Sequence, residues 1–473
     1  MENAHSFPQG DRVLMTDNMR TAGNPGPDAG RGTGTSVPKI MRGSFGAYFH
    51  RRIVPKGLAQ TLIGLIASAY HAGLPHLIVS TVLVQGLAYL TQLYIAQLLG
   101  PRAFGVVRNT EAIISILILL GAAGMPSLAI KSISEVTDPA LRARLLGRLL
   151  QIAGLSGIAL SAIGLLLLPA FVTAETRPYL AQLVWIVGLS AVGRTAINYF
   201  QGIRQFQRMA ALNVILSSLA VTLLVLMVWR SGLSGWIIGR YAGEGLFVGG
   251  SLLLLTPHIK FAGSLPPPYS RRKLLVLGLT IASSLALRTM LDHAALLALA
   301  YCGRTSEEIG CYGLGSLVVA TILLFPGATA TLAITRFVEK SATPDLGRVF
   351  YHRVIKWTLA VIVPCAGLLA LCGPLLPAVF GSGYLSAVSI LQILALTLPV
   401  RTVAALTGSV LMAHDMNRLT LCTNSLFLVL GVLLYGILIP AFGPVGAAWV
   451  TVFLETGSAV LLVYFCRVRV WCK

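Results

Sequence analysis

Apolar positions in this chain come in long unbroken blocks instead of at helical or strand spacing. From Pro75 onward each block ends at Gly, Pro or basic residues. A helix needs about 20 such residues to cross about 30 Å of hydrocarbon. Twelve spans are predicted, at roughly 76–99, 106–130, 149–172, 179–200, 209–229, 233–256, 274–300, 310–334, 354–373, 386–412, 418–439 and 445–466. A membrane barrel would show short alternating segments instead. The first 56 residues follow another pattern. Pro, Gly, Ser, Thr, Asp and Asn dominate them, which predicts disorder, and no apolar stretch there suits a signal peptide. They end in Arg51, Arg52 and Lys56, a cluster suited to anionic headgroups. Leu58–Tyr70 is apolar but short, and reads as a helix lying on the membrane surface.

A repeat organises the spans. Asn213, Gly232, Gly235 and Glu244 recur 211 positions later as Asn424, Gly443, Gly446 and Glu455. Each copy predicts a helix, a tight Gly turn and a second helix carrying a carboxylate in its apolar body. A weaker echo joins Leu98-Leu-Gly100 and Phe104-Gly105 to Tyr301-Cys-Gly303 and Tyr312-Gly313. Six spans per half is an even number, so both halves face the same way. The predicted fold is an all-α polytopic membrane protein. About twelve transmembrane helices form two six-helix bundles related by a pseudo-two-fold axis along the membrane normal. Residues 57–256 make the first bundle with its leading interfacial helix, 257–273 a polar connector, and 274–473 the second bundle.

Composition agrees with the membrane. The chain is 56% hydrophobic and 11% charged, with a mean hydropathy of +0.80, where soluble domains carry about 25% charged residues. The net charge of +20 raises the question of nucleic acid. Its distribution answers differently. Nineteen Lys and Arg fall on one set of loops, the N-terminal segment aside, and four (Arg102, Arg177, Arg230 and Arg304) on the other. This is the asymmetry that sets orientation, with both termini cytoplasmic, and no nucleic-acid partner is expected. Cys302 and Cys311 flank an outer loop and are a candidate disulfide, but spacing alone does not fix its geometry.

Charged residues inside the spans are costly and mark function. They are Arg108 and Glu111, Arg194, Arg240 and Glu244, Arg288 and Asp292, Arg401, and Glu455, with His293 alongside. Arg108/Glu111, Arg240/Glu244 and Arg288/Asp292 have pairing distance on a helix face. Arg194 and Arg401 have no acidic neighbour one turn away, and each lies on the fourth helix of its half. Guanidinium holds phosphate through paired hydrogen bonds and keeps its charge when dehydrated. Arg194, Arg240, Arg288 and Arg401 are therefore the candidate substrate-binding residues. Glu244, Asp292 and Glu455 are candidates for ion coupling. The sequence offers no metal cluster, P-loop or D-x-D pair, so no cofactor and no enzymatic activity is expected.

Several motifs carry a resemblance. Leu99-Gly-Pro-Arg-Ala-Phe-Gly105, Gly124-Met-Pro-Ser-Leu-Ala-Ile-Lys131, Val379-Phe-Gly-Ser-Gly-Tyr384, Leu391-Gln-Ile-Leu394 and Ile439-Pro-Ala-Phe-Gly-Pro-Val-Gly-Ala-Ala448 are similar to those of Wzx-type polysaccharide flippases. That family lies within the multidrug/oligosaccharidyl-lipid/polysaccharide exporter superfamily. The resemblance covers most of residues 75–466. It implies two bundles around a central cavity in a bacterial inner membrane. It further implies passage of undecaprenyl-pyrophosphate-linked oligosaccharide from the cytoplasmic to the periplasmic leaflet by alternating access. Expected partners are that anionic lipid-linked oligosaccharide and membrane lipids, with polysaccharide polymerase and export machinery as further candidates. The alternatives are a cation-coupled multidrug or metabolite exporter of the same superfamily, which the Arg excess disfavours, and an integral-membrane polysaccharide enzyme.

Overall fold

The computed structural model describes residues 74–167, 172–260, 269–340, 344–414 and 416–471. The N-terminal segment and the surface helix expected over 58–70 lie outside these residues. Every regular element described is helical. The first half contains α1 (Leu74–Gly121), α2 (Met125–Glu135), α3 (Pro139–Leu167), α4 (Arg177–Leu183), α5 (Ile186–Gly202) and α6 (Phe206–Leu255). The second contains α7 (Arg271–Tyr301), α8 (Ser306–Lys340), α9 (Pro344–Cys372), α10 (Leu376–Phe380), α11 (Ala387–Ala395), α12 (Thr397–Ala413) and α13 (Asn417–Cys466).

Among the described residues seven helical stretches are long and apolar enough to cross a membrane, and two bent pairs raise the number to nine. Three of the nine are hairpins, which brings the spans to twelve. The hairpins in α6 and α13 turn at Gly232 (φ 56°, ψ −130°) and Gly443 (φ 60°, ψ −143°), and α1 turns at Gly100 (φ 73°). Such backbone is nearly closed to residues with a Cβ. Close approaches confirm the folding back. Gly239 abuts Leu224 and Gly243 abuts Ala220 in α6, while Gly431 meets Leu454 and Gly457 meets Phe427 in α13. In α1, Gln92 reaches across the turn to Glu111.

The 211-residue period extends beyond the turns. Any Cβ on Gly235 would strike the carbonyl of Met227, and one on Gly446 the carbonyl of Leu438, positions that also differ by 211. The fourth span of each half is broken, α4 from α5 by 44° and α11 from α12 by 41°, and the second segments start at Ile186 and Thr397, again 211 apart. In that register Arg401 matches Ser190, so Arg194 and Arg401 sit about one helical turn out of step. The helices of the weaker echo cross closely. Gly105 packs against Ser306 and Gly310, and Gly310 returns the contact to Pro101. Two backbones approach this closely only where both lack a side chain. The second predicted span is also interrupted, since α1 ends at Gly121 and Gly124 (φ 70°) turns the chain into α2 against Gly278.

The apolar core explains the cavity. At the end opposite the basic loops one continuous cluster crosses both halves, including Phe104, Trp236, Leu299, Leu317, Tyr384 and Ile439. At the basic end the core divides. Met125, Leu145, Phe200 and Leu274 form one cluster, and Phe337, Tyr351, Leu406 and Leu411 another. The halves are thus fused at one end and, apart from the start of α7, which packs on the first half through Leu274 and Gly278, parted at the other. Outward-facing Leu166, Leu253, Leu371 and Ile437 stay exposed, as hydrocarbon contact requires.

Candidate functional site

Three cavities that share wall residues run between the parted halves. The largest, about 900 Å³, lies mainly against the second half and is bordered by Tyr89, Arg288, Asp292, Arg401, Asn424 and Glu455. A cavity of about 360 Å³ shares Arg108, Thr289 and His293 with it and adds Glu111, Arg194 and Arg240. The third, about 550 Å³, continues past Arg194 and Arg240 to Asn213 and Glu244 in the first half. All four candidate arginines therefore line one linked passage, together with the three candidate carboxylates.

Within the second half the charges are paired. Arg288 Nη2 lies 3.0 Å from Asp292 Oδ1, and the Arg401 guanidinium bonds the same carboxylate from α12. Arg401 Nε also lies 3.1 Å from Glu455 Oε1 on α13. Glu455, lacking a same-helix partner, is thus paired across helices. Two guanidiniums and two carboxylates cancel here. Behind them, Tyr312 and Tyr435 both meet the Thr451 hydroxyl at 2.9 Å, which fixes α8 against the α13 hairpin beside Glu455. Glu111 is likewise occupied, taking 2.7 Å hydrogen bonds from Gln92 and lying 3.9 Å from Arg108.

The first half differs. Among the described residues neither Arg194 nor Arg240 has a carboxylate within ion-pair distance, and Nε of Arg240 is buried without a hydrogen-bond partner. The expected Arg240/Glu244 pair is not formed. Side chains lean toward the helix N-terminus, which carries an Arg away from a Glu one turn later, so this order is the weaker one. Arg288 makes the same reach only onto a carboxylate that Arg401 also holds.

At the fused end, Glu175 accepts hydrogen bonds from Arg102 of its own half and from the Ser306 hydroxyl of the other. The Arg102 guanidinium, with help from Ser306, holds the Glu175 carboxyl below the usual carboxylate range. Arg304 caps the α13 hairpin by donating to the carbonyls of Ile439 and Pro440. Sequence reasoning missed this closure because its members are far apart in the chain. It also passed over Asn424 as a site residue, although the repeat had singled it out. Cys302 and Cys311 are free thiols, not a disulfide, and Cys311 is buried.

Residues 72–289 match the family model described as polysaccharide biosynthesis protein. Over those residues the chain is similar to that polysaccharide biosynthesis family. Its fold is that of the MOP-superfamily transporters. The inward-facing conformation of a multidrug resistance MATE family transporter aligns with a TM-score of 0.70 at 15% identity, covering 82% of this chain and 95% of that one. The lipid II flippase MurJ, in an inward closed conformation, aligns at 0.67 and 13% identity over 81% and 86%. A MOP superfamily transporter from Pyrococcus furiosus aligns at 0.59 and 16% identity over 84% and 96%. No curated protein matches the sequence. The protein is accordingly a multi-pass membrane protein whose structural relatives are transporters and flippases.

Proposed function

We propose that the protein flips a lipid-linked oligosaccharide from the cytoplasmic to the periplasmic leaflet of a bacterial inner membrane, its pyrophosphate held by Arg194 and Arg240. The observation that carries this reading is the buried, unpartnered Nε of Arg240 in a passage that contains a second unpaired guanidinium. A buried donor without an acceptor costs about 1–3 kcal/mol, and an anionic oxygen removes that cost. The pyrophosphate enters from the basic face, where the halves are parted, and the polyprenyl tail stays in lipid. The halves then rock, closing the basic end and opening the fused one. A negative interior favours outward movement of an anion by about 2.3 kcal/mol per charge per 100 mV, so no coupling ion is required.

Deleting the protein and fractionating lipid-linked intermediates tests the reading. They accumulate on the cytoplasmic leaflet, and the Arg194→Ala/Arg240→Ala double variant inserts in the membrane but fails to clear them. Full clearance by that variant would refute the assignment.

A further inference from the structure

Resting on the flippase reading, we infer that the large cavity of the second half is a separate glycan subsite, which holds the sugars while the first half holds the pyrophosphate. Three observations carry this.

The first is charge. Arg288 and Arg401 are already matched by Asp292 and Glu455, and Arg108, the third guanidinium on this wall, lies 3.9 Å from Glu111, so the wall carries little unmatched charge. It still offers both donors and acceptors, because a paired guanidinium keeps spare N–H groups and a paired carboxylate spare lone pairs. Neighbouring donors and acceptors of this kind suit adjacent sugar hydroxyls.

The second is Asn424. The residue lines the cavity and is only 7% exposed, yet among the described residues its side chain makes no hydrogen bond. Its amide carries two donors and one acceptor oxygen. An amide whose polar atoms open onto a polar cavity, with no protein partner, suits a ligand that presents hydroxyls.

The third is the rest of the lining. Thr289 donates to Leu285, Thr331 to Gly327 and Ser316 to Gly313, each bonding its own helix. Each hydroxyl thereby spends its proton and keeps its oxygen lone pairs for sugar O–H donors. The half-buried ring of Tyr89 adds a flat face. About 900 Å³ is at the upper end of small-molecule sites, room for more than the phosphates alone.

Binding to the purified full chain in detergent tests the subsite with two probes. One is undecaprenyl pyrophosphate without sugar. The other is the undecaprenyl-pyrophosphate oligosaccharide fraction extracted from the protein's own source membranes. The glycosylated probe is expected to bind at least about tenfold tighter than the bare one. Asn424→Leu should remove that advantage and leave bare pyrophosphate binding as it was, which also reports that the variant is folded. Gly408→Phe is the independent check. It fills a cavity-lining position where an added Cβ meets nothing within 4 Å, and it should have the same selective effect. If both variants retain the full glycan advantage, or weaken both probes equally, the subsite is refuted. If neither probe binds the unmodified protein, the flippase reading itself falls.

Discussion

The two halves share a backbone plan and differ in charge. Gly232 and Gly443 turn their hairpins with nearly the same angles, and the broken fourth spans start 211 residues apart. Yet Glu455 is locked to Arg401, while its repeat partner Glu244 is unpaired beside unpaired arginines. The conserved geometry of the turns builds the carrier. The divergent electrostatics leave unpaired guanidiniums in one half and paired charges in the other, which is the basis of the proposed anion site and glycan wall. A net guanidinium excess thus arises on one side of a scaffold that is otherwise duplicated.

The largest effect should come from the charge difference itself. Arg194→Gln/Arg240→Gln is expected to lower flipping at least about a hundredfold in proteoliposomes, since two charge-assisted contacts are lost together. Removing Glu244 as well should not rescue it, because no pair was broken. The second half should behave oppositely. Arg401→Gln leaves Asp292 and Glu455 short of a counter-charge. It should lower thermal stability in detergent by about 1–3 kcal/mol, with part recovered in Arg401→Gln/Glu455→Gln. Equal rescue in both halves would erase the distinction.

A smaller effect tests what the halves have in common. Gly232→Ala and Gly443→Ala each force a Cβ into a Gly-only region. Each should cost about 1–3 kcal/mol by the same unfolding measurement. Unequal costs would mean that the two turns are not equivalent. Least in size is the pH response of the fused end. Arg102 depresses the Glu175 carboxyl in the folded protein, so its contribution is present above the ordinary carboxylate value and is lost as pH falls through the depressed one. The protection of residues 172–176 against hydrogen exchange, taken relative to the intrinsic rate at each pH, should therefore fall on acidification, and Glu175→Gln should flatten that response.

Much of this plan is legible in the chain. Apolar block length gives the spans, and the spacing of Asn213 to Glu244 and of Asn424 to Glu455 gives the duplicated hairpin, because Gly turns are local. Intramembrane arginines mark the passage because their burial needs a reason. Pairing was not legible. Arg240 and Glu244 have the spacing of a pair and do not form one, whereas Arg401 finds Asp292 and Glu455 on two other helices. Helical spacing states which residues share a face, but packing decides which charges meet. The contact of Gly105 with Gly310 escaped for the same reason, since a crossing of two helices leaves no fixed interval in sequence.

The most direct measurement is equilibrium binding of undecaprenyl pyrophosphate to two double variants, Arg194→Gln/Arg240→Gln and Arg288→Gln/Arg401→Gln. The unpaired arginines should account for most of the affinity, so the first variant is expected to bind at least about tenfold more weakly than the second. Equal loss in the two, or a greater loss from Arg288 and Arg401, would contradict the claim that the first half holds the anionic head.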